Sequence, residues 1–151
     1  MTLPHRSPFQ IAIDAHNPDI QARFWAEALH YDLQGPPEPH TNWRDYWISV
    51  GVPESEVEDG FDAIVDPTGR GPRVWFQQVP EAKTAKNRFH LDLLVGGGRS
   101  VPLDERKARV HAEADRLATM GATLRRVMDN SAQNHYAIAM SDPEGNEFDI
   151  V

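Results

Sequence analysis

Residues 88–95 read RFHLDLLV, and the alternation in that stretch decides the fold. In an extended strand, successive side chains point to opposite faces. Phe89, Leu91 and Leu93 therefore form an apolar face that packs on a helix, while His90, Asp92 and Leu94 share the other. After a loop at 96–102, residues 103–120 place Val110, Ala114, Leu117 and Ala118 on one helical stripe, with Gly121 as the expected C-cap. Strands are expected at 122–128, 136–140 and 147–151, the last two joined by the turn Asp142-Pro143-Glu144-Gly145.

The same order is legible upstream. Residues 9–14 (FQIAID) read as a strand, and Asn17-Pro18 supplies an N-cap and a preorganised first helical position. The segment DIQARFWAEALH (19–30) spaces Ile20, Phe24 and Ala28 along one helical face, with Trp25 and Leu29 beside them. Gly35-Pro36-Pro37 breaks the chain after this helix. Strands are expected at 46–50 (YWISV), 61–65 (FDAIV) and 73–79 (RVWFQQV). An acidic loop, PESEVEDG, lies between the first two, and the turn Asp66-Pro67-Thr68-Gly69 closes the second. Phe9-Gln10-Ile11 matches Phe89-His90-Leu91 at an offset of 80, and the two Asp-Pro-x-Gly turns match at an offset of 76. Two copies of one βαβββ module are the simplest account. The alternative is an unrelated α+β domain with two similar turns.

Strand parity also selects a constellation. Phe148 and Ile150 take the helix side of 147–151, leaving Glu147, Asp149 and Val151 on the other. Phe9, Ile11 and Ile13 likewise separate from Gln10 and Ala12, and Val74 and Phe76 from Trp75 and Gln77. Gln10, Gln77, His90 and Asp149 are thus expected to converge from four strands. Imidazole and carboxylate are good ligands for a first-row metal, and amide oxygens are weak ones. A second His, from a loop at His40 or His135, would complete a two-His, one-carboxylate set. Without a metal, the four side chains hydrogen-bond one another in a wet pocket, or His90 acts as general acid or base oriented by Asp149. Asp92 and Glu147 are further carboxylates of the same parity. Trp43, Tyr46, Trp47 and Trp75 are expected to wall a small-molecule site by ring stacking, the alternative being ordinary core or dimer-interface packing. Lys83, Lys86 and Arg88 lie between the modules, as guides for an anionic ligand or as a solvated linker.

Length and composition bound these readings. The 151 residues are one domain's worth, read as a single domain 1–151 with modules at about 9–80 and 88–151. Apolar residues make up 40% and charged ones 25%, an ordinary globular balance. Lys and Arg number 15 against 23 Asp and Glu, and the net charge of -8 disfavours nucleic acid as a partner. There is no Cys, hence no thiol nucleophile or disulfide. MTLPHRSPFQ lacks the apolar core of a signal peptide, and no apolar run is long enough to span a bilayer, so a cytoplasmic protein with no membrane partner is expected. GxGxxG, GxxxxGK[ST], GxSxG and HExxH are missing, which leaves nucleotide cofactors and serine-hydrolase chemistry unsupported.

The duplicated βαβββ order resembles the vicinal oxygen chelate superfamily: glyoxalase I, extradiol dioxygenases, fosfomycin-resistance enzymes and bleomycin-binding proteins. The resemblance runs from Phe9 to Val151. It is most specific at 17–29 with its Phe24-Trp25 pair, at 74–93 (VWFQQVPEAKTAKNRFHLDL) and at 142–151 (DPEGNEFDIV), which look like the glyoxalase-like group. It implies an α+β fold whose two modules form a cupped mixed sheet, with metal ligands on the first and last strands of each. His90 stands where the family often has a His ligand, Asp149 where it often has Glu, and Gln10 where glyoxalase I has Gln. Gln77 departs from the carboxylate or His of metal-binding relatives. The implied function is that of a lyase, isomerase or dioxygenase acting on adjacent oxygens with a divalent ion (Zn, Ni, Mn or Fe). The alternative is a metal-free, bleomycin-resistance-like binding protein. A homodimer is expected by analogy and from exposed sheet edges.

Overall fold

The computed structural model describes residues 7–151, so the reading of the N-terminus as lacking a signal peptide falls partly outside the described residues. The chain divides into two compact units between Pro80 and Glu81. The first contains β1 (Ile11–Ala15), α1 (Pro18–Leu29), β2 (Asp32–Leu33), α2 (Trp43–Ser49), β3 (Ala63–Val65) and β4 (Val74–Gln78). The second contains β5 (Asp92–Leu93), α3 (Leu103–Ala118), β6 (Thr123–Asn130), β7 (His135–Ser141) and β8 (Glu147–Ile150). Their four-stranded sheets run β1-β4-β3-β2 and β5-β8-β7-β6, the same order position by position. In each, the first strand pairs parallel with the last and the remaining pairs are antiparallel. The fold is α+β, built from two βαβββ modules.

Local chemistry explains the shared elements. Asn17 Oδ1 accepts from the Ile20 N–H at 3.1 Å, Pro18 opens α1, and the helix buries Ala22, Phe24, Trp25, Ala26 and Ala28. Phe24 and Trp25 meet edge-on at 5.3 Å. Ile20, expected on the inner face, is exposed because it lies in the first turn. The helix packs on β3 and β4, where Ile64, Val74 and Phe76 are buried. In the second unit, Val110, Ala114 and Leu117 of α3 form the inner stripe, and Ile138, Met140, Phe148 and Ile150 of the sheet are buried with them. Gly121, with φ 109°, reverses the chain two residues past the C-cap Thr119, letting the Ala122 N–H reach the Leu117 carbonyl at 3.1 Å. The two Asp-Pro-x-Gly turns close alike. Asp66 accepts from the N–H groups of Thr68, Arg70 and Gly71, and Asp142 from those of Glu144 and Asn146.

Three expectations are corrected. Residues 46–50 are not a strand: Trp43–Ser49 is helical, because Asn42 Oδ1 caps the Asp45 N–H at 2.8 Å while its amide donates back to the Asp45 carboxylate. The apolar run YWISV thereby serves a helix surface. The strand expected at 88–95 shrinks to Asp92–Leu93, with Phe89 and Leu94 exposed. Beside the β5–β8 ladder, the Leu91 and Leu93 carbonyls accept from Asp149 and Val151 before Gly96 docks on Val151. Phe9, expected on the inner face, lies before β1 and is exposed.

Candidate functional site

The register of the parallel pairs fixes which residues of the two units are equivalent. Ala12 faces Trp75 across β1 and β4, and Asp92 faces Asp149 across β5 and β8. Ala12 and Asp92, like Gln10 and His90, are separated by the offset that relates the two modules. Where the second unit has His90, Asp92 and Asp149, the first therefore has Gln10, Ala12 and Trp75. Gln77 lies two residues beyond Trp75, opposite Asp14.

In the second unit the polar parity set converges. His90 ends the loop that leads into β5, Asp92 opens β5, and Asp149 sits mid-β8. His90 Nε2 is 3.1 Å from Asp92 Oδ1 and 3.6 Å from Asp149 Oδ2. One ligand atom from each residue falls within 4.8 Å of the others. Asp149 is shielded on its strand, while His90 and Asp92 are exposed. Such a nitrogen-and-two-oxygen set suits a borderline or hard divalent ion, and it equally suits a proton shared between imidazole and carboxylate.

A cleft of about 590 Å³ opens beside it, lined by His90 and Asp149 together with Lys86, Arg125, Arg126 and Glu147. Glu147 is held firmly. Burial opposes its ionisation, but a Lys83 ion pair at 3.0 Å and the Asn87 N–H at 3.1 Å outweigh that and hold its pKa at about 2. Asn87 Nδ2 also donates to the Glu147 carbonyl, so the loop carrying His90 is strapped to the start of β8. Lys83, read from the sequence as ligand guide or solvated linker, is thus a structural anchor. The lining residues Arg125 and Arg126 were not among the expected site residues. Their signal is a β-bulge between Leu124 and Arg126, which strand alternation does not reveal.

The other candidates lie in the first unit. Gln10 Oε1 accepts from Arg73 Nη1 at 2.9 Å, while Arg73 Nε donates to Gln34. Gln77 is exposed on β4. Trp43, Tyr46 and Trp47 form one cluster on α2, with Trp43 and Trp47 stacked at 5.6 Å and Tyr46 edge-on to both. Trp43 Nε1 donates to the Gln34 carbonyl at 2.9 Å. Trp75 stands on β4 and donates to Asp62 Oδ2 at 3.1 Å; among the described residues no ring contact joins it to the other three.

The glyoxalase-like domain model matches residues 10–151. Among curated proteins none matches the sequence. A glyoxalase/bleomycin resistance protein/dioxygenase family enzyme from Burkholderia phytofirmans PsJN is similar in structure (TM-score 0.55, 14% identity, covering 93% of this chain and 94% of that one). So is the fosfomycin resistance protein FosX from Mesorhizobium loti (TM-score 0.57, 9% identity, 97% and 91%). A third is a FosX variant from Listeria monocytogenes, complexed with Mn(II) and 1S,2S-dihydroxypropylphosphonic acid (TM-score 0.56, 8% identity, 93% and 85%). At these identities the neighbours speak for the fold. No helix among the described residues is long and apolar enough to cross a membrane. With two βαβββ units and a family model spanning nearly the whole chain, this protein belongs to the glyoxalase-like domain family.

Proposed function

We propose that the chain is a small-molecule enzyme of lyase, isomerase or dioxygenase type, in which His90 and Asp149, joined by Asp92, hold a divalent cation of the Zn, Ni, Mn or Fe class. The observation that carries this reading is the convergence of one imidazole and two carboxylates within 4.8 Å, at the rim of a cleft large enough for a small organic ligand. The donor set fits such an ion. The nitrogen is neutral His90 Nε2, and the carboxylates are paired residues of adjacent strands, so β5–β8 pairing sets their spacing. When bound, the ion supplies Lewis-acid polarisation of adjacent substrate oxygens.

The chain's own residues supply the remainder. Asp92 Oδ1, 3.1 Å from Nε2, fixes the orientation of the His90 ring. In the absence of an ion, Nε2 lies within hydrogen-bond reach of Asp92 and near Asp149. Without an ion, the same nitrogen is placed to take a proton from a ligand in the cleft.

Calorimetric titration with Zn, Ni, Mn and Fe(II), on protein purified without a nickel column, tests the assignment. Tight binding of at least one ion is expected. His90→Ala should remove most of the affinity, since imidazole is the strong nitrogen ligand. Gln10→Ala and Gln77→Ala should matter less, because water replaces an amide oxygen. Binding of none of the four overturns the metal reading. It would promote a metal-free binding protein, a reading favoured by Trp75 occupying in the first unit the register position of Asp149, and by the Trp43–Trp47 stack on α2.

A further inference from the structure

Regular strands send consecutive side chains to opposite faces, yet Arg125 and Arg126 both line the cleft beside His90 and Asp149. The bulge explains it. Leu124 pairs with Met140 and Arg126 with Ala139, leaving Arg125 as the extra residue of β6 and breaking the alternation there. Arg125 Nη1 is braced by the hydroxyl of buried Ser141 at 3.1 Å. Lys86 lines the same cleft. None of these three cations forms an ion pair among the described residues. Of the cleft's own carboxylates, Glu147 is paired with Lys83, and Asp149 lies beside His90. Three cations without an ion pair thus share one concave surface of a chain whose net charge is -8.

We infer that this cleft recognises a ligand bearing a terminal oxyanion, carboxylate or phosphonate, held by Arg125, Arg126 and Lys86. The inference rests on the proposed function in taking the cleft beside His90 as the ligand site. Guanidinium forks match planar carboxylates and tetrahedral oxyanions in pairs of parallel hydrogen bonds, and an ammonium adds a point charge. The anionic group then sits against β6, and the rest of the molecule extends toward His90 and Asp149. A neutral ligand would leave the two arginines unmatched.

The test uses the full chain treated with EDTA, with benzoate, phenylphosphonate and neutral benzamide as probes, monitored by amide chemical shifts. Both anions should bind saturably, with shifts on β6, β7 and the 86–92 segment, and more weakly as salt rises from about 50 to about 500 mM. Tighter binding of phenylphosphonate assigns a tetrahedral dianion; tighter binding of benzoate assigns a carboxylate. Arg125→Gln/Arg126→Gln should weaken both by about tenfold or more, the scale of lost charge-assisted hydrogen bonds. Arg126→Lys should weaken binding less than the double variant does, since it keeps the charge while losing the fork. If the double variant does not fold, Lys86→Gln/Arg126→Gln, on two exposed residues, carries the same expectation. Benzamide binding as well as benzoate, neither anion binding, or an unaffected variant each overturns the inference. Because the assay contains no metal, anion binding without metal binding refutes the metal reading alone. Metal binding without anion binding refutes this one alone.

Discussion

Replacing Glu147 by Gln should flatten the acid branch of the stability curve. Its carboxyl titrates at about 2 rather than the ordinary 4.5, since the Lys83 ion pair and the Asn87 N–H prevail over burial. A depressed native pKa stabilises the fold above the unfolded value, and that stabilisation is lost as pH falls from about 4.5 towards about 2. At about 1.4 kcal/mol per pH unit, the interval sets a ceiling of about 3 kcal/mol. The two side chains retain 19% and 14% exposure, so water screens part of this and about 1–2 kcal/mol is the expected yield. Urea unfolding between about pH 6 and pH 3 measures it. Asp66 and Asp129 also have lowered pKa values and contribute to acid sensitivity in both proteins, so the difference between the curves isolates Glu147. The wild type should lose its advantage over Glu147→Gln as the pH falls, and Lys83→Met should lose part of it already at neutral pH. Parallel curves for wild type and Glu147→Gln would refute the claim that this carboxylate straps the His90 loop to β8.

Two further outcomes are expected. Asn42→Ala should remove the cap of α2 and cost about 1 kcal/mol in chemical unfolding, with Tyr and Trp fluorescence reporting a loosened Trp43–Trp47 stack; unchanged fluorescence and stability would mean that α2 is held by something other than its cap. The chain should form a homodimer, because β6 lies at a sheet edge with Leu124 and Val127 exposed; light scattering that gives the single-chain mass at micromolar concentration would refute this.

The duplication is legible in the sequence through features that are local and strong. Asn17-Pro18 caps α1 on its own, and each Asp-Pro-x-Gly turn saturates its Asp with neighbouring backbone N–H groups, so both survive any tertiary context. Phe76, Phe148 and Ile150 fall on the buried side because alternation is reliable in strands with partners on both edges, as β4 and β8 have. It is least reliable at Phe9 and Phe89, just outside the short edge strands β1 and β5. The helix over 43–49 is hidden by its β-rich composition, which masks the Asn42–Asp45 cap. Asp149 is legible from parity, whereas His90 reaches it from the loop before β5, where alternation does not hold. The correspondence of Trp75 with Asp149 is not legible, because it depends on strand register, and the paired arginines are not, because a bulge is one extra residue that leaves the composition unchanged.

The connection between the edge strand and its neighbour differs sharply between the units. Asn130 of β6 faces His135 of β7 across a turn at Ser131–Gln133, whereas β2 reaches β3 only after α2 and the acidic segment. Closing a short turn costs little chain entropy, and hairpins form in about 1–10 μs. Joining β1 to β4 must first gather the whole first unit. The ribosome therefore delivers the slower unit first and the faster one last. Early amide protection in pulse-labelled exchange is expected in β6 and β7, before β1 and β4 and before β5 joins β8 beside His90 and Asp149.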